Sequence, residues 1–461
     1  MAQDASMRGR VIAGAVFAVA FALSITAVGV FHPAVLEHYS DSPDSVGITQ
    51  WAERATADEV VRWWTGTWIQ ADSYYYRPLS SHLFYLQYRL FGWNFQGHVF
   101  ISWLIHGAIT LCVYLLALRL LPGSRRIARW TAMLAAVLFN LRLTPEGPHW
   151  PVAPVSFAVV AWWPAQTDQT SLLFSLLAIL ALDRWLQGED RRGLFKAALL
   201  WVIALLFKEM AVILPAIAGL LALHRHGLPA LRPMREFQRD AETTRAPGSA
   251  WVIVAPSLAF ALGFLVFRSA LIPHGWGMEP QPLSFYPRKM LFLLASRPYT
   301  LLVSYQAWLP VAAVFITTLL YLWVRLPKRP SVVWLIMAII IGSGLLAELV
   351  SGNFALVTIP TQLGALGTLT LLALGLAVLA HVREPWPWIL LGMALVIHLP
   401  LLWVWGPHYF YWPAAFWAFF NAGLWHYVFL RADAGTLRWP QRDRSGDSPD
   451  ELDSLSKRLY K

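Results

Sequence analysis

Residues 11–31 read VIAGAVFAVAFALSITAVGVF, an uncharged run which, wound as a helix, crosses about 30 Å of hydrocarbon. Arg8 and Arg10 stand before it, as basic residues stand before the apolar core of a secretory leader. The run is longer than a usual cleavable core and carries no convincing cleavage signal, so it reads as a first membrane span. Comparable runs recur at about 98–118, 130–146, 155–183, 195–207, 209–224, 250–270, 299–323, 331–350, 356–380, 387–403 and 412–430. Twelve crossings is the preferred count, with eleven and thirteen as neighbours. The fourth run is overlong, and its beginning reads as an external re-entrant or interfacial segment.

Composition points the same way. The 461 residues are 57% hydrophobic and only 13% charged, against about 25% charged residues in an ordinary soluble domain. Mean hydropathy is +0.51. Lipid offers no partner for backbone N–H and C=O groups, so repeated apolar runs require helices. The expected fold is an all-α, polytopic integral membrane protein, a helical bundle with external interfacial loops. Residues 1–10 form a short cytoplasmic N-terminus, 11–430 the membrane body with a long external loop at 32–97, and 431–461 a charged, weakly ordered tail.

The formal charge of +10 lies mainly in short gaps between runs, which suits membrane orientation better than a nucleic-acid surface. With the N-terminus in the cytoplasm, most of the 36 Lys and Arg residues fall inside, among them Arg119, Arg125, Arg126, Arg129, Arg184, Arg191, Arg192, Lys196 and Arg225. The loops at 32–97, 142–154, 271–298 and 404–411 then emerge outside with the Lys208–Glu209 turn. These hold the unusual concentrations of polar and aromatic groups. The expected location is a plasma membrane or bacterial inner membrane, with the active face external or periplasmic. Cys112 is the single cysteine, so no intrachain disulfide forms and the redox compartment is left open.

Within the first external loop, WWTGTWIQADSYYYRPL at Trp63–Leu79 sets Asp72, a tyrosine cluster and Arg77 before Pro78. Ring body and polar tip of such aromatics suit the headgroup layer. Four motifs in this order, YYRPLSSHLFYLQYRLFGWNFQGHVFISWLIH (Tyr75–His106), VAWWPAQTDQTSLLFSLLAILAL (Val160–Leu182), ALLFKEMAVILP (Ala204–Pro215) and HYFYWP (His408–Pro413), carry a resemblance. The chain resembles the GT-C-type, polyprenyl-phosphate-sugar-dependent glycosyltransferases, nearest the branch of protein O-mannosyltransferases and their tetratricopeptide-bearing relatives. The resemblance covers most of the membrane region; the first and third motifs are its more specific parts. It implies a GT-C-like membrane enzyme that moves a sugar from a lipid phosphate to an acceptor outside.

Two features depart from that family. Its catalytic acid, often an adjacent acidic pair, lies early in the first external loop, whereas AVLEHYSDSPDS at Ala34–Ser45 has no such pair. Glu37 and Asp41 are the nearest candidates for the base, with Asp44 a third. After the third run, LRLTPEGPHWPVAP carries Glu146 and His149, while Ala158 occupies the register expected for the family's acid when Trp162 is aligned. Glu146 is a candidate to replace it through a shifted loop. No tetratricopeptide array follows the membrane region.

A polyprenyl phosphate is already a competent leaving group, so two tasks remain: taking the acceptor's proton and holding the developing phosphate charge. Glu37 or Asp41 suits the first, against a solvated loop or helix cap as the plain alternative. Asp168 opens an apolar run after WWPAQTD; the helix dipole alone explains an acid there, and the resemblance adds a donor-site or acid-network role. Lys208 is the principal phosphate candidate with Glu209 positioning it, against a structural pair or a snorkelling lysine. Arg77's donor fork suits phosphate oxygens, with Asp72 orienting it or binding acceptor. Arg268 marks the outer end of the seventh run as a further headgroup ligand. His408, Tyr409 and Tyr411 suit sugar hydroxyls, although an aromatic belt explains the same composition.

His98 and His106 lack the surrounding ligand box of a metal site and read as packing or network residues. No nucleotide fingerprint follows a strand, so neither a nucleotide cofactor nor an iron centre is expected; dependence on a divalent metal is left open. The expected partners are membrane lipid, a polyprenyl-phosphate sugar and a protein, lipid or glycan acceptor, without nucleic acid. Inversion at the anomeric carbon is the expected stereochemical course. A transporter or lipid flippase is the alternative, and two inverted halves with matching charged interruptions would favour it. A noncatalytic interaction protein on the same scaffold is the third.

Overall fold

The computed structural model describes residues 2–70, 73, 75–141, 155–227, 251–272, 384–402 and 407–433. Helices dominate, and no strand occurs among the described residues. Four helical stretches are long and apolar enough to cross a membrane: Arg8–Val30, Phe95–Leu120, Trp163–Leu186 and Ile253–Leu271. Gly193–Phe207 and Trp386–Leu401 are shorter apolar stretches. Large apolar side chains project outward from the first and last of the four, with Val28 80% and Val266 71% exposed. Lipid is the solvent that such faces fit. The expected runs at 299–323, 331–350 and 356–380 lie outside the described residues.

α1 (Ala2–Val30) leads into four helices where the sequence suggests one long loop. Local signals build each of them. Pro33 starts α2 (Pro33–Ser40) from N1, where its missing N–H costs nothing. Ser42 caps α3 (Pro43–Arg54), its Oγ accepting from the Ser45 N–H at 3.3 Å. α4 (Ala57–Arg62) opens with a reciprocal capping box between Thr56 and Glu59. α5 (Pro78–Phe91) again begins on proline and stops at Gly92, whose φ of 55° lies in the left-handed region.

The bundle follows. α6 (Phe95–Leu120) and α7 (Arg125–Leu141) pack against α1, while α9 (Gln166–Leu186) and α10 (Gly193–Phe207) form the most extensive helix pair among the described residues. Gly193 lets the last two close up, since a Cβ there would lie 2.7 Å from the Ala181 carbonyl oxygen. The overlong fourth run is broken: α8 (Val155–Ala161) ends at an extended Trp162, and a 3-10 turn at Trp163–Ala165, with Pro164 inside it, leads into α9. α11 (Leu214–His226), α12 (Trp251–Leu271), α13 (Trp386–Val396) and α14 (Tyr411–Asp433) complete the described helices. One apolar core joins α6, α7, α9, α10, α11, α13 and α14 through residues such as Val113, Phe139, Leu172, Leu205, Ile217, Leu390 and Phe419.

Two polar clusters mark opposite ends. Asp168 and Asp183 lie on α9, about 22 Å apart at 1.5 Å of rise per residue. At the second end the buried Asp183 accepts from Arg119 Nε at 2.5 Å, Arg225 Nε at 2.6 Å and Gln187 Nε2 at 2.8 Å. Arg225 also donates to the Arg119 carbonyl, and His224 Nε2 bonds to that of Leu120. The C-termini of α6, α9 and α11 are thereby fastened together. Asp183→Ala is expected to lower stability by about 3 kcal/mol, because it strands two partly buried guanidiniums. Thermal unfolding in detergent checks this, with Arg184→Ala, whose side chain is 55% exposed, expected to shift the midpoint little.

Candidate active site

The first end of the bundle holds a cavity of about 220 Å3 lined by polar and aromatic side chains. Its charged walls are Asp44 from α3, Arg77 from the turn before α5, Asp168 from the first turn of α9, and Lys208 from the end of α10.

Lys208 sits where α10 stops. Its backbone is extended, with φ −160° and ψ 139°, before a 3-10 turn at Glu209–Ile213. Its Nζ donates to Asp168 Oδ2 at 2.5 Å and lies 4.2 Å from the centre of the Tyr409 ring. Both charged side chains are almost fully buried. One turn inward, Ser171 donates to the Ala204 carbonyl at 2.8 Å and holds α9 against α10. Trp412 Nε1 donates to the Asp168 carbonyl at 3.2 Å, which fastens the start of α14 to the same corner.

Glu209 faces a second group. Arg77 Nε donates to its Oε2 at 3.0 Å, the Tyr76 backbone N–H to its Oε1 at 3.3 Å, and Arg268 Nε stands 3.8 Å from Oε1. Arg77 precedes Pro78, which keeps it out of helical geometry, and its φ of −143° and ψ of 63° follow. Its guanidinium lies 3.9 Å from the Tyr75 ring centre and 5.3 Å from that of Trp68. Ser80 donates to the Phe207 carbonyl at 2.8 Å, joining α5 to the end of α10. Three cations, Arg77, Lys208 and Arg268, thus meet two carboxylates, Asp168 and Glu209, in a buried setting. Asp44 adds a third carboxylate at the cavity wall, so charge balances over the whole site while the three cations gather around Lys208 and Glu209. A local gathering of cations next to a cavity suits an anion.

The residues expected to act divide into three groups. Asp168, Lys208, Glu209, Arg77 and Arg268 converge, although Glu209 and Arg268 do not line the cavity and Arg268 joins the group through Glu209. Glu37 and Asp41 are exposed, on α2 and at its C-cap, and neither lines the cavity. The reason is local: α2 ends at Asp41, the Ser42 cap and Pro43 start a new helix, and Asp44 in its first turn reaches the cavity instead. Tyr411 is fully buried beside the cavity, its hydroxyl donating to His106 Nδ1 at 2.5 Å while His106 Nε2–H donates to Asn140 Oδ1 at 2.7 Å. His98 stacks on Trp163 with ring centres 3.9 Å apart. Asp72, Glu146 and the side chain of His408 lie outside the described residues.

Sequence reasoning passed over Trp68, Trp162, Thr167 and the contact of Tyr409 with Lys208. No spacing announces them, because each meets the site through tertiary packing. Asp44 reaches solvent, yet desolvation at this wall raises its carboxyl above the ordinary carboxylate range. Among the described residues no group of three His, Cys, Asp or Glu side chains is placed to hold a metal ion.

The chain matches no protein-family model, no curated protein and no solved structure.

The Lys208–Asp168 pair makes its own test. Removing either partner leaves a buried charge unmatched, so Lys208→Met and Asp168→Leu are each expected to cost about 3–5 kcal/mol. The double variant should cost less than either, because no charge is then stranded. Unfolding midpoints in detergent measure this cycle, and simple additivity would mean that the pair is not a coupled buried unit.

Proposed function

We propose that this protein is a GT-C-like integral-membrane glycosyltransferase that moves a sugar from a polyprenyl phosphate to an acceptor hydroxyl on the external or periplasmic face of a bacterial inner or plasma membrane. One observation carries the reading: a carboxylate with a raised pKa, Asp44, shares a cavity with Lys208, Arg77 and Asp168. Motif order adds support, since the four segments that resemble the polyprenyl-phosphate-sugar enzymes contribute Arg77, Asp168, Lys208 and Tyr409 to that one cavity. The positive-inside bias supports the orientation in this reading, with the arginine-rich end of Arg119, Arg184 and Arg225 toward the cytoplasm and the cavity outward.

On this reading the acceptor oxygen attacks the anomeric carbon opposite the phosphate. The new C–O bond forms as the bond from that carbon to the phosphate oxygen breaks, with its electron pair leaving on the phosphate. Asp44 takes the acceptor's proton. Lys208 and Arg77 hold the charge that grows on the carrier phosphate, and Arg268 supports them through Glu209. The carrier's tail has an apolar site beside them, a pocket of about 310 Å3 between α10 and α12 lined by Tyr76, Leu205, Leu206, Phe264 and Phe267. Tyr76 and Phe267 adjoin Arg77 and Arg268 in sequence, so the apolar pocket meets the cationic cluster where a prenyl phosphate changes character.

Purified protein in nanodiscs, given polyprenyl-phosphate hexoses or pentoses and a panel of protein, lipid and glycan acceptors, is expected to release polyprenyl phosphate and form a glycoside of inverted configuration. Asp44→Asn should cut turnover about 100- to 10,000-fold with donor binding retained. As pH falls through the raised pKa of Asp44, the base becomes protonated and the rate should drop; this acidic limb lies above the ordinary value of about 4. Donor binding without transfer to any acceptor would defeat the enzymatic reading. Turnover that follows Glu37 or Asp41 rather than Asp44 would move the base off this cavity.

A further inference from the structure

Two residues that line the cavity each carry a polar atom left out of its hydrogen bonds and ion pairs. The indole Nε1–H of Trp68 and Oδ1 of Asp168 are buried and have no hydrogen-bond partner among the described residues. Trp68 is 6% exposed and Asp168 1%, and both line the same cavity. Buried polar groups are almost always paired, and an unmet one costs about 1–3 kcal/mol.

Neither group can readily turn away. Trp68 packs edge-on against Tyr75 and Phe84, with ring centres 5.8 and 6.0 Å apart, and lies beneath the Arg77 guanidinium. Its backbone N–H donates to the Tyr75 carbonyl at 3.0 Å. Asp168 is held by Lys208 at its other oxygen. One donor and one acceptor are therefore held in place on residues that line the cavity.

A ligand that meets both must accept from an indole N–H and donate to a carboxylate. A hydroxyl does both, and so do two neighbouring hydroxyls. Tyr75, Trp162 and Tyr409 supply aromatic surface around them, suited to the C–H faces of a sugar ring. The cavity, about 220 Å3, has room for a sugar ring with its hydroxyls. A uronate would set a second carboxylate against Oδ1.

We propose that this cavity is a glycosyl subsite for a single uncharged sugar ring, in which Trp68 and Asp168 read one hydroxyl or an adjacent pair, making Trp68 a specificity-determining residue. The inference rests on the glycosyl-transfer reading and narrows its substrate class. Asp168 then has two duties: Oδ2 fixes Lys208 and Oδ1 accepts from the sugar.

The test uses the full chain in nanodiscs with polyprenyl-phosphate hexose, its monodeoxy analogues, the corresponding uronate, and polyprenyl phosphate alone. In the unaltered protein, loss of one particular hydroxyl should weaken binding about tenfold or more, because the wall groups then go unpaired. Trp68→Phe should weaken the parent sugar about tenfold and abolish the further penalty for that one deoxy analogue. Polyprenyl phosphate alone should bind both proteins equally, which also shows that the variant is folded. The uronate should bind less tightly than the hexose.

Unchanged deoxy selectivity in Trp68→Phe, an equal loss across all ligands including bare polyprenyl phosphate, or a uronate that binds as well as the hexose would overturn the subsite alone. Failure of the unaltered protein to bind any polyprenyl-phosphate sugar while binding bare polyprenyl phosphate would overturn the glycosyl-transfer reading together with it.

Discussion

Everything at the first end of the bundle depends on two adjacent side chains of opposite charge that cannot satisfy each other. Lys208 is extended, and in extended backbone successive side chains leave on opposite sides. Lys208 therefore turns to Asp168 and Tyr409, while Glu209 turns to Arg77 and Arg268. Each of these charges is buried, and a buried charge without a partner is costly enough to reorganise whatever surrounds it. One break in one apolar hairpin thus gathers the starts of α5 and α9, the end of α12 and the turn before α14. The cavity is what remains between them.

The other end shows the same chemistry used differently. Asp183 also serves two arginines, but both of its oxygens are occupied: Oδ1 by Arg225, and Oδ2 by Arg119 and Gln187. Asp168 has one occupied oxygen and one without a hydrogen-bond partner among the described residues. Two carboxylates on one helix, both buried, are separated by what their second oxygen meets. A saturated carboxylate is a fastening between helix ends; a half-saturated one beside a cavity has something left to bind.

The sequence made the helices legible because a lipid-facing helix must be apolar along its length, and it made the Lys208–Glu209 break legible because charge in such a run is expensive. Asp168 stood out for the same reason, at the head of an apolar run, and Arg77 because it stands beside Pro78 after a tyrosine cluster, with a donor fork suited to phosphate. The choice among the early acids was less visible. Asp41 and Asp44 are three residues apart, and what separates them is Ser42–Pro43, a helix-start signal that ends one helix and begins another. Thr56 and Glu59, a capping box readable in the chain, likewise mark structure inside what otherwise looks like a loop. Trp68 carried no such signal. Its standing comes from an unmet N–H, which only packing around Tyr75, Phe84 and Arg77 creates.

Charge balance ties these groups to the proposed reaction more closely than any single contact. A sugar-linked polyprenyl phosphate is a diester with one negative charge, and the released monoester carries about 1.5 to 2 near neutral pH. In the proposed reaction Asp44 accepts a proton, and loses its own charge, as that charge appears. The site's total charge hardly changes while negative charge crosses from the α3 side of the cavity to the α10 side. Lys208, Arg77 and Arg268 outnumber their two carboxylates on that receiving side, so the stabilising cations stand in place before the sugar leaves. Preorganisation of this kind needs the cations held rigidly without being fully neutralised, and sharing Glu209 between two guanidiniums does both. A third carboxylate in the cluster would make the resting fold more comfortable and the leaving phosphate less welcome.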